Sequence, residues 1–387
     1  MRSRSRANHP SLSRRNFLRL GSRAALFAML GGSAAATGLL TTGCSSLGEL
    51  ATGTRILTDD TGREVELPIA RDLSRVYFTS SLAEIFCFTL APDLLAGTAI
   101  RFDEAQLAYL PHEMGDLPYW GTLAGGGTID ASALVRDGVQ AIFSISGVGL
   151  TDVNIADALL LQDETGIPVF LIDGSLDRLG DSYRLLGEAL GCQMRAEEIA
   201  TYCESVYAEV LDAVAAVPQS ERVSYYFAEG PEGLQTEPND SQHALAFLLA
   251  GGENVAADVP LNIAGYGMTS VTMEQVQQWD PEFIIAWDWA TRAGAADLIR
   301  SSSKWQDIAA VRDGRVYAMP ALPFPFCDRP PGINRIIGMQ WMANLFYPRY
   351  YDIDIIEAVR KFYATCYWCN ITRDEASQIL RMSQQGS

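Results

Sequence analysis

The sequence predicts an α/β protein: two three-layer α/β lobes with mainly parallel sheets, joined by a single long helix, with a ligand cleft between the lobes. Three observations predict it. Residues 194–217 carry apolar side chains at Ile199, Tyr202, Cys203, Val206, Tyr207, Val210, Leu211 and Val214, the stripe of one helix face. On either side of that stretch, short apolar runs alternate with helical patterns, the rhythm of parallel sheets covered on both faces. The chain has 387 residues, of which 48% are hydrophobic, enough for two cores.

The predicted long helix spans about 36 Å at 1.5 Å per residue. Arg195, Glu197, Glu198, Ser205, Glu209 and Asp212 fall mostly between its apolar positions, and Pro218 stops it.

In chain order, residues 55–68 alternate apolar and polar around Thr61-Gly62 and read as a hairpin. Strands are expected at 75–80, 94–100, 141–146 and 169–172. Helices are expected at 82–90, 130–136 with Asp130 as cap, 152–165 and 177–190. Beyond the long helix, strands are expected at 222–227, 283–286 and 316–319, and helices at 241–250, 273–279 and 295–301. From 334 the chain turns helical over 334–346, 353–365 and 372–382. The implied division is an N-terminal lobe over 55–176, connecting helices over 177–218, a C-terminal lobe over 219–330 and C-terminal helices over 331–387.

The first 43 residues differ from the rest, with seven arginines and no Asp or Glu ahead of a small-residue apolar run at 24–40. This is the pattern of an export signal, the alternative being a single-span anchor. SRRNFLR at 13–19 resembles the twin-arginine export motif. Gly43-Cys44 after Leu39-Leu40 resembles a bacterial lipobox, although Thr41 stands where that motif favours Leu. Cys44 would then carry lipid, with 44–54 as a tether. Removing 1–43 takes the formal charge from −18 to −25, leaving 22 basic against 47 acidic residues. Such a chain is a poor nucleic-acid binder, so no nucleic-acid partner is expected, and membrane attachment must come from the lipid. Cys87, Cys192 and Cys203 read as core. Cys366-Tyr-Trp-Cys369 reads as a local disulfide or two free thiols, or alternatively as a redox pair.

Several segments, in order, carry a family resemblance: DTGREVELP at 60–68, GIPVF at 166–170, GPEGLQT at 230–236, GGENVA at 251–256, VTMEQV at 271–276 with WDPEFII at 279–285, AAVRDGRVY at 309–317 and PPGINR at 330–335. Together they resemble the ABC-transporter solute-binding lipoproteins for iron-siderophore, haem and vitamin B12. That resemblance implies two α/β lobes on one long helix, no catalysis, and delivery of ligand to a permease and its ATPase. It also implies one docking Glu per lobe. The pattern falls on Glu274 in the second lobe. In the first it falls on Ser132, with Asp130 two residues earlier as substitute.

Ligand contacts are expected from loops at the carboxyl ends of strands. These carry Ser80, Ser81, Arg101 and Ser146 in the first lobe, and Glu229, Tyr266, Met268, Trp287, Trp289, Phe324 and Arg329 in the second. Trp287, Trp289 and Phe324 offer flat apolar faces, or ordinary core packing. Arg101, Arg292 and Arg329 suit an anionic group. His243 is a candidate metal or haem-iron ligand, or a helix-terminus histidine. No intrinsic cofactor is expected, the ligand being a metal complex: an iron chelate, haem or a corrinoid. The expected function is a monomeric, lipid-anchored, extracytoplasmic receptor. The alternatives are a molybdate- or tungstate-type oxyanion receptor of the same fold, and an envelope redox protein using Cys366 and Cys369.

Overall fold

The expected hairpin consists of β1 (Thr54–Thr58) and β2 (Glu64–Pro68). Its turn is held by Asp59, whose carboxylate accepts from Thr61 N (3.0 Å) and Arg63 Nε (3.0 Å). Asp60 N donates to Leu171 O (3.1 Å), and Leu171 N to Asp59 (3.3 Å), so the turn shields the edge of the first-lobe sheet. The computed structural model describes residues 53–262, 267–288 and 294–381. The signal, Cys44, most of the tether, Tyr266, Trp289 and Arg292 lie outside them. The described residues from 55 onward form one compact unit.

The first-lobe sheet is β3 (Val76–Phe78), β4 (Ala141–Ser146) and β5 (Val169–Asp173), parallel and in that order. Alternate residues face two cores. Tyr77, Ile142, Val169 and Leu171 pack with Leu134 of α2 (Ala131–Arg136) and with Ala158 and Leu161 of α3 (Asp152–Thr165). Val76, Phe78, Phe143 and Phe170 pack with α1 (Ser81–Leu90). Burial of both faces is why these strands read as unbroken apolar runs.

The strand expected at 94–100 is absent, leaving only isolated bridges, Val76 to Leu95 and Thr98 to Tyr119. The reason is local: Ala99 N donates to Glu84 (2.6 Å) and Ile100 N to Thr98 Oγ1 (2.8 Å), so neither N–H serves a ladder. The expected helix at 241–250 is broken into a 3-10 turn, Gln242–Ala244, and a short helix, Leu245–Leu249.

After α4 (Leu179–Leu190) the connecting helix α5 runs unbroken over Gln193–Ala215, 23 residues or about 35 Å. It buries Ile199, Tyr202, Cys203, Val206, Val210 and Val214, while Tyr207 and Leu211 sit at the margin of the stripe. Gly187 of α4 lets α5 approach closely, since a Cβ there would lie 2.2 Å from that of Ala196. Arg195 of α5 stacks on Trp368 (4.1 Å) and donates to Thr89 O (3.2 Å) and to Thr365 O, near the C-terminal ends of two different helices.

In the second lobe, β6 (Ser224–Glu229) pairs in parallel with β10 (Phe283–Trp287), which pairs in parallel with β11 (Val316–Ala318). The short strands β7 (Gln235–Thr236), β8 (Glu253–Asn254) and β9 (Thr269–Ser270) complete a mixed sheet. α6 (Met273–Trp279) and α7 (Ala296–Ser301) cover one face, with Tyr226, Ile284 and Trp305 in the core between. The other face packs against α8 (Asn334–Phe346), followed by α9 (Ile355–Cys366) and α10 (Arg373–Arg381). One core thus runs from the first lobe through α5 to the second.

Candidate functional site

The carboxyl ends of β6 and β10 meet in register at Glu229 and Trp287. The chain leaving β11 passes back over them, placing Arg329 above the Trp287 ring at 5.7 Å. Arg329 has a left-handed backbone (φ 60), uncommon for a residue with a Cβ. Its guanidinium donates to Glu229 (2.7 Å) and to Glu237 (2.5 Å), with all three side chains buried. Burial pushes the Glu229 carboxyl well above its ordinary range. Arg329 opposes that shift and the neighbouring Glu237 reinforces it. One cation therefore serves two buried carboxylates.

Glu237 also accepts from Ser241 Oγ (2.6 Å) and Met268 N (2.8 Å). The approach requires Gly267 (φ +86), since a Cβ there would lie 2.1 Å from a Glu237 oxygen. Beside this cluster, Asp328 bonds His243 Nδ1 and Arg335 Nη2, the latter at 2.6 Å. Burial alone would raise the Asp328 carboxyl, but His243 and Arg335 outweigh it and bring it down to about 2. Among the described residues, no group of three or more His, Cys, Asp or Glu is arranged to hold a metal ion.

The structure thus draws together His243, Glu229, Trp287, Met268 and Arg329, but as a self-paired buried cluster. Trp287 is 1% exposed and Phe324 3%, so neither offers an open face. Phe324 instead stacks on Phe88 of α1 (5.5 Å, 13°) and meets Phe102 edge-on (6.5 Å), linking the lobes. In the first lobe, Ser80 caps α1 by accepting from Ala83 N (3.2 Å), and Ser81 begins that helix half-buried. Ser146 is half-buried at the end of β4. The next residue, Gly147, lies so close to the returning chain that a Cβ would sit 3.1 Å from Pro331 O. Arg101 is exposed and lies over the Tyr119 ring at 4.0 Å.

Two cavities stand out among the described residues. The larger, about 460 Å³, opens beside Arg300, Gln306 and Val316, at the starting end of β11 and away from the strand ends described above. Its Arg300 is already bound to Val316 O (2.8 Å) and Asp297 (3.0 Å). The smaller, about 200 Å³, lies between Thr98 and Tyr119, next to Arg101.

Asp130 and Glu274 both sit exposed at helix starts. Asp130 caps α2 (Ala133 N, 3.0 Å) and is tied to Ser132 Oγ (2.7 Å). Hydrogen bonds from Ser132 and Ala133 hold its carboxyl below the usual range. Glu274 is lowered as well, by its own backbone N–H and by Thr272. Cys366 and Cys369 are free and buried. Burial raises both thiols, Cys369 to about 11, opposite to the shift a redox thiolate needs.

Glu84, Glu237, Asp328 and Arg335 were not identifiable as site residues from the sequence patterns. Glu84 carried one visible signal, a lone carboxylate within the apolar run 82–90. Glu237 meets Arg329, and Asp328 meets His243, only through the fold, 92 and 85 positions apart along the chain.

Two α/β lobes on one helix, with side chains gathered at strand ends facing the other lobe, define the fold of the two-lobed solute-binding proteins. A family model described as "periplasmic binding protein" matches residues 152–322. The chain is similar to an ABC transporter solute-binding protein from Sulfurospirillum deleyianum (TM-score 0.76, 25% identity, covering 84% of this chain and 99% of that one). It shares its fold with a TroA-like periplasmic binding protein, FepB, from Veillonella parvula (TM-score 0.65, 23% identity, 82% and 97% covered). The molybdate-binding protein MolA of Haemophilus influenzae is 26% identical over 203 residues. That match takes in 52% of this chain and about half, 55%, of the relative.

Proposed function

We propose that the protein is the extracytoplasmic solute receptor of an ABC importer, capturing a metal complex between its lobes and passing it to the permease. The observation that carries this reading is the architecture: two lobes fixed on one unbroken 23-residue helix, with the Arg329 cluster at the strand ends of the second lobe. The exposed Asp130 and Glu274 are the proposed permease contacts, each pre-ordered at a helix start. Lipid on Cys44, after twin-arginine export, is the proposed anchor. The cargo is an iron chelate, haem or a corrinoid.

A second reading, a molybdate- or tungstate-type oxyanion as cargo, is favoured by the similarity to the molybdate-binding relative. Purification from the native host distinguishes the two. Haem or corrinoid absorbance, or stoichiometric iron, supports the first reading, and stoichiometric molybdenum or tungsten the second. Mass spectrometry of the mature amino terminus tests Cys44.

A further inference from the structure

The charges of the second-lobe cluster are spent on one another, whereas the first lobe holds an arginine of a different kind. Arg101 stacks on Tyr119 at 4.0 Å and has no hydrogen bond or ion pair among the described residues. Beside it lies the 200 Å³ pocket, whose walls include Thr98 and Gly115 as well as Phe102, Met114, Leu117 and Tyr119. The pocket is well below the roughly 300–1,000 Å³ that encloses a whole drug-sized ligand, so it suits one arm of a larger molecule.

Its walls are anchored from inside the lobe. Glu84 of α1, 0% exposed, accepts from Ala99 N (2.6 Å) and from Thr98 Oγ1 (3.2 Å), the residues that lead into the rim. Trp120 packs against Gly97, where a Cβ would lie 2.4 Å from the indole. The pocket also borders the second lobe: Gln106 donates to Pro323 O (3.0 Å), and Phe102 meets Phe324. A small recess bordered by one guanidinium with no ion-pair partner among the described residues suits a group ending in one carboxylate.

We infer that Arg101, Tyr119 and this pocket form a subsite for a carboxylate-bearing arm of the transported solute. The inference rests on the receptor reading. Arg101 supplies the charge, Tyr119 holds the guanidinium at the rim, and Met114 and Leu117 line the recess.

The test uses the mature protein with benzoate as probe and benzamide as its neutral isostere, followed by ligand-observed NMR. Benzoate is expected to bind at least tenfold more tightly than benzamide. Arg101→Gln, at an exposed position, is expected to abolish that preference with the thermal melting unchanged, and Arg101→Lys to restore part of it. Benzoate that fails to bind, or binds Arg101→Gln equally well, overturns the subsite. Because benzoate is scored apart from any full solute, failure of the subsite with a solute still bound is distinguishable from failure of the receptor reading.

Discussion

Arg329 donates to Glu229 at 2.7 Å with 5% and 0% of their side chains exposed. The pair sits where the chain leaving β11 crosses the carboxyl end of β6. Because Glu237 shares the same guanidinium, removing the cation leaves carboxylates buried without their partner. Arg329→Met is therefore expected to destabilise the fold by about 3–5 kcal/mol in denaturant unfolding. Glu229→Gln is expected to cost less than Arg329→Met, because burial already favours the neutral form of Glu229 and the amide keeps an oxygen for Arg329. Equal losses for the two variants would contradict this ranking.

Glu84 gives the fold a pH dependence. Burial raises its carboxyl to about 8, partly offset by hydrogen bonds from Ala99 and Thr98. The folded protein thus holds a proton that the unfolded chain releases near pH 4.5. The stability from that proton is complete below about 4.5 and is lost as pH rises through about 8. Glu84→Gln removes the titration. Its melting temperature is expected to gain on that of the wild type steadily from pH 5 to pH 8.5, and parallel curves would contradict the assignment.

The Cys366 and Cys369 thiols are buried with raised pKa values, so they are expected to resist alkylation at pH 8 in the folded protein and to react on unfolding. Fast reaction in the native state, read by mass spectrometry, would revive the redox alternative.

The unbroken α5 and the core running through it favour small lobe movements. X-ray scattering profiles with and without bound solute are expected to superimpose closely. A large compaction on binding would show a hinge that the helix does not provide.

Much of the fold was legible because its signals are local. The stripe over 199–214 located the connecting helix, and 273–279 and 334–346 agree with α6 and α8 to the residue. The strand expected over 94–100 failed because a buried carboxylate on another element, Glu84, takes a backbone N–H that a strand would use. The site was less legible. Glu229 and Arg329 were visible as residues at strand ends, but their pairing spans 100 positions, and so the expectation of an open arginine became a buried ion pair. Trp287 and Phe324 carried two readings, ligand platform or core, and their side chains are buried in the core.

The central claim, solute capture, is tested most directly by titrating the mature protein with ferric siderophores, haemin, cobalamin and molybdate, followed by tryptophan fluorescence. The account predicts that one of them binds with a Kd below about 10 μM, near −7 kcal/mol. Failure of every one to bind below that concentration would contradict it.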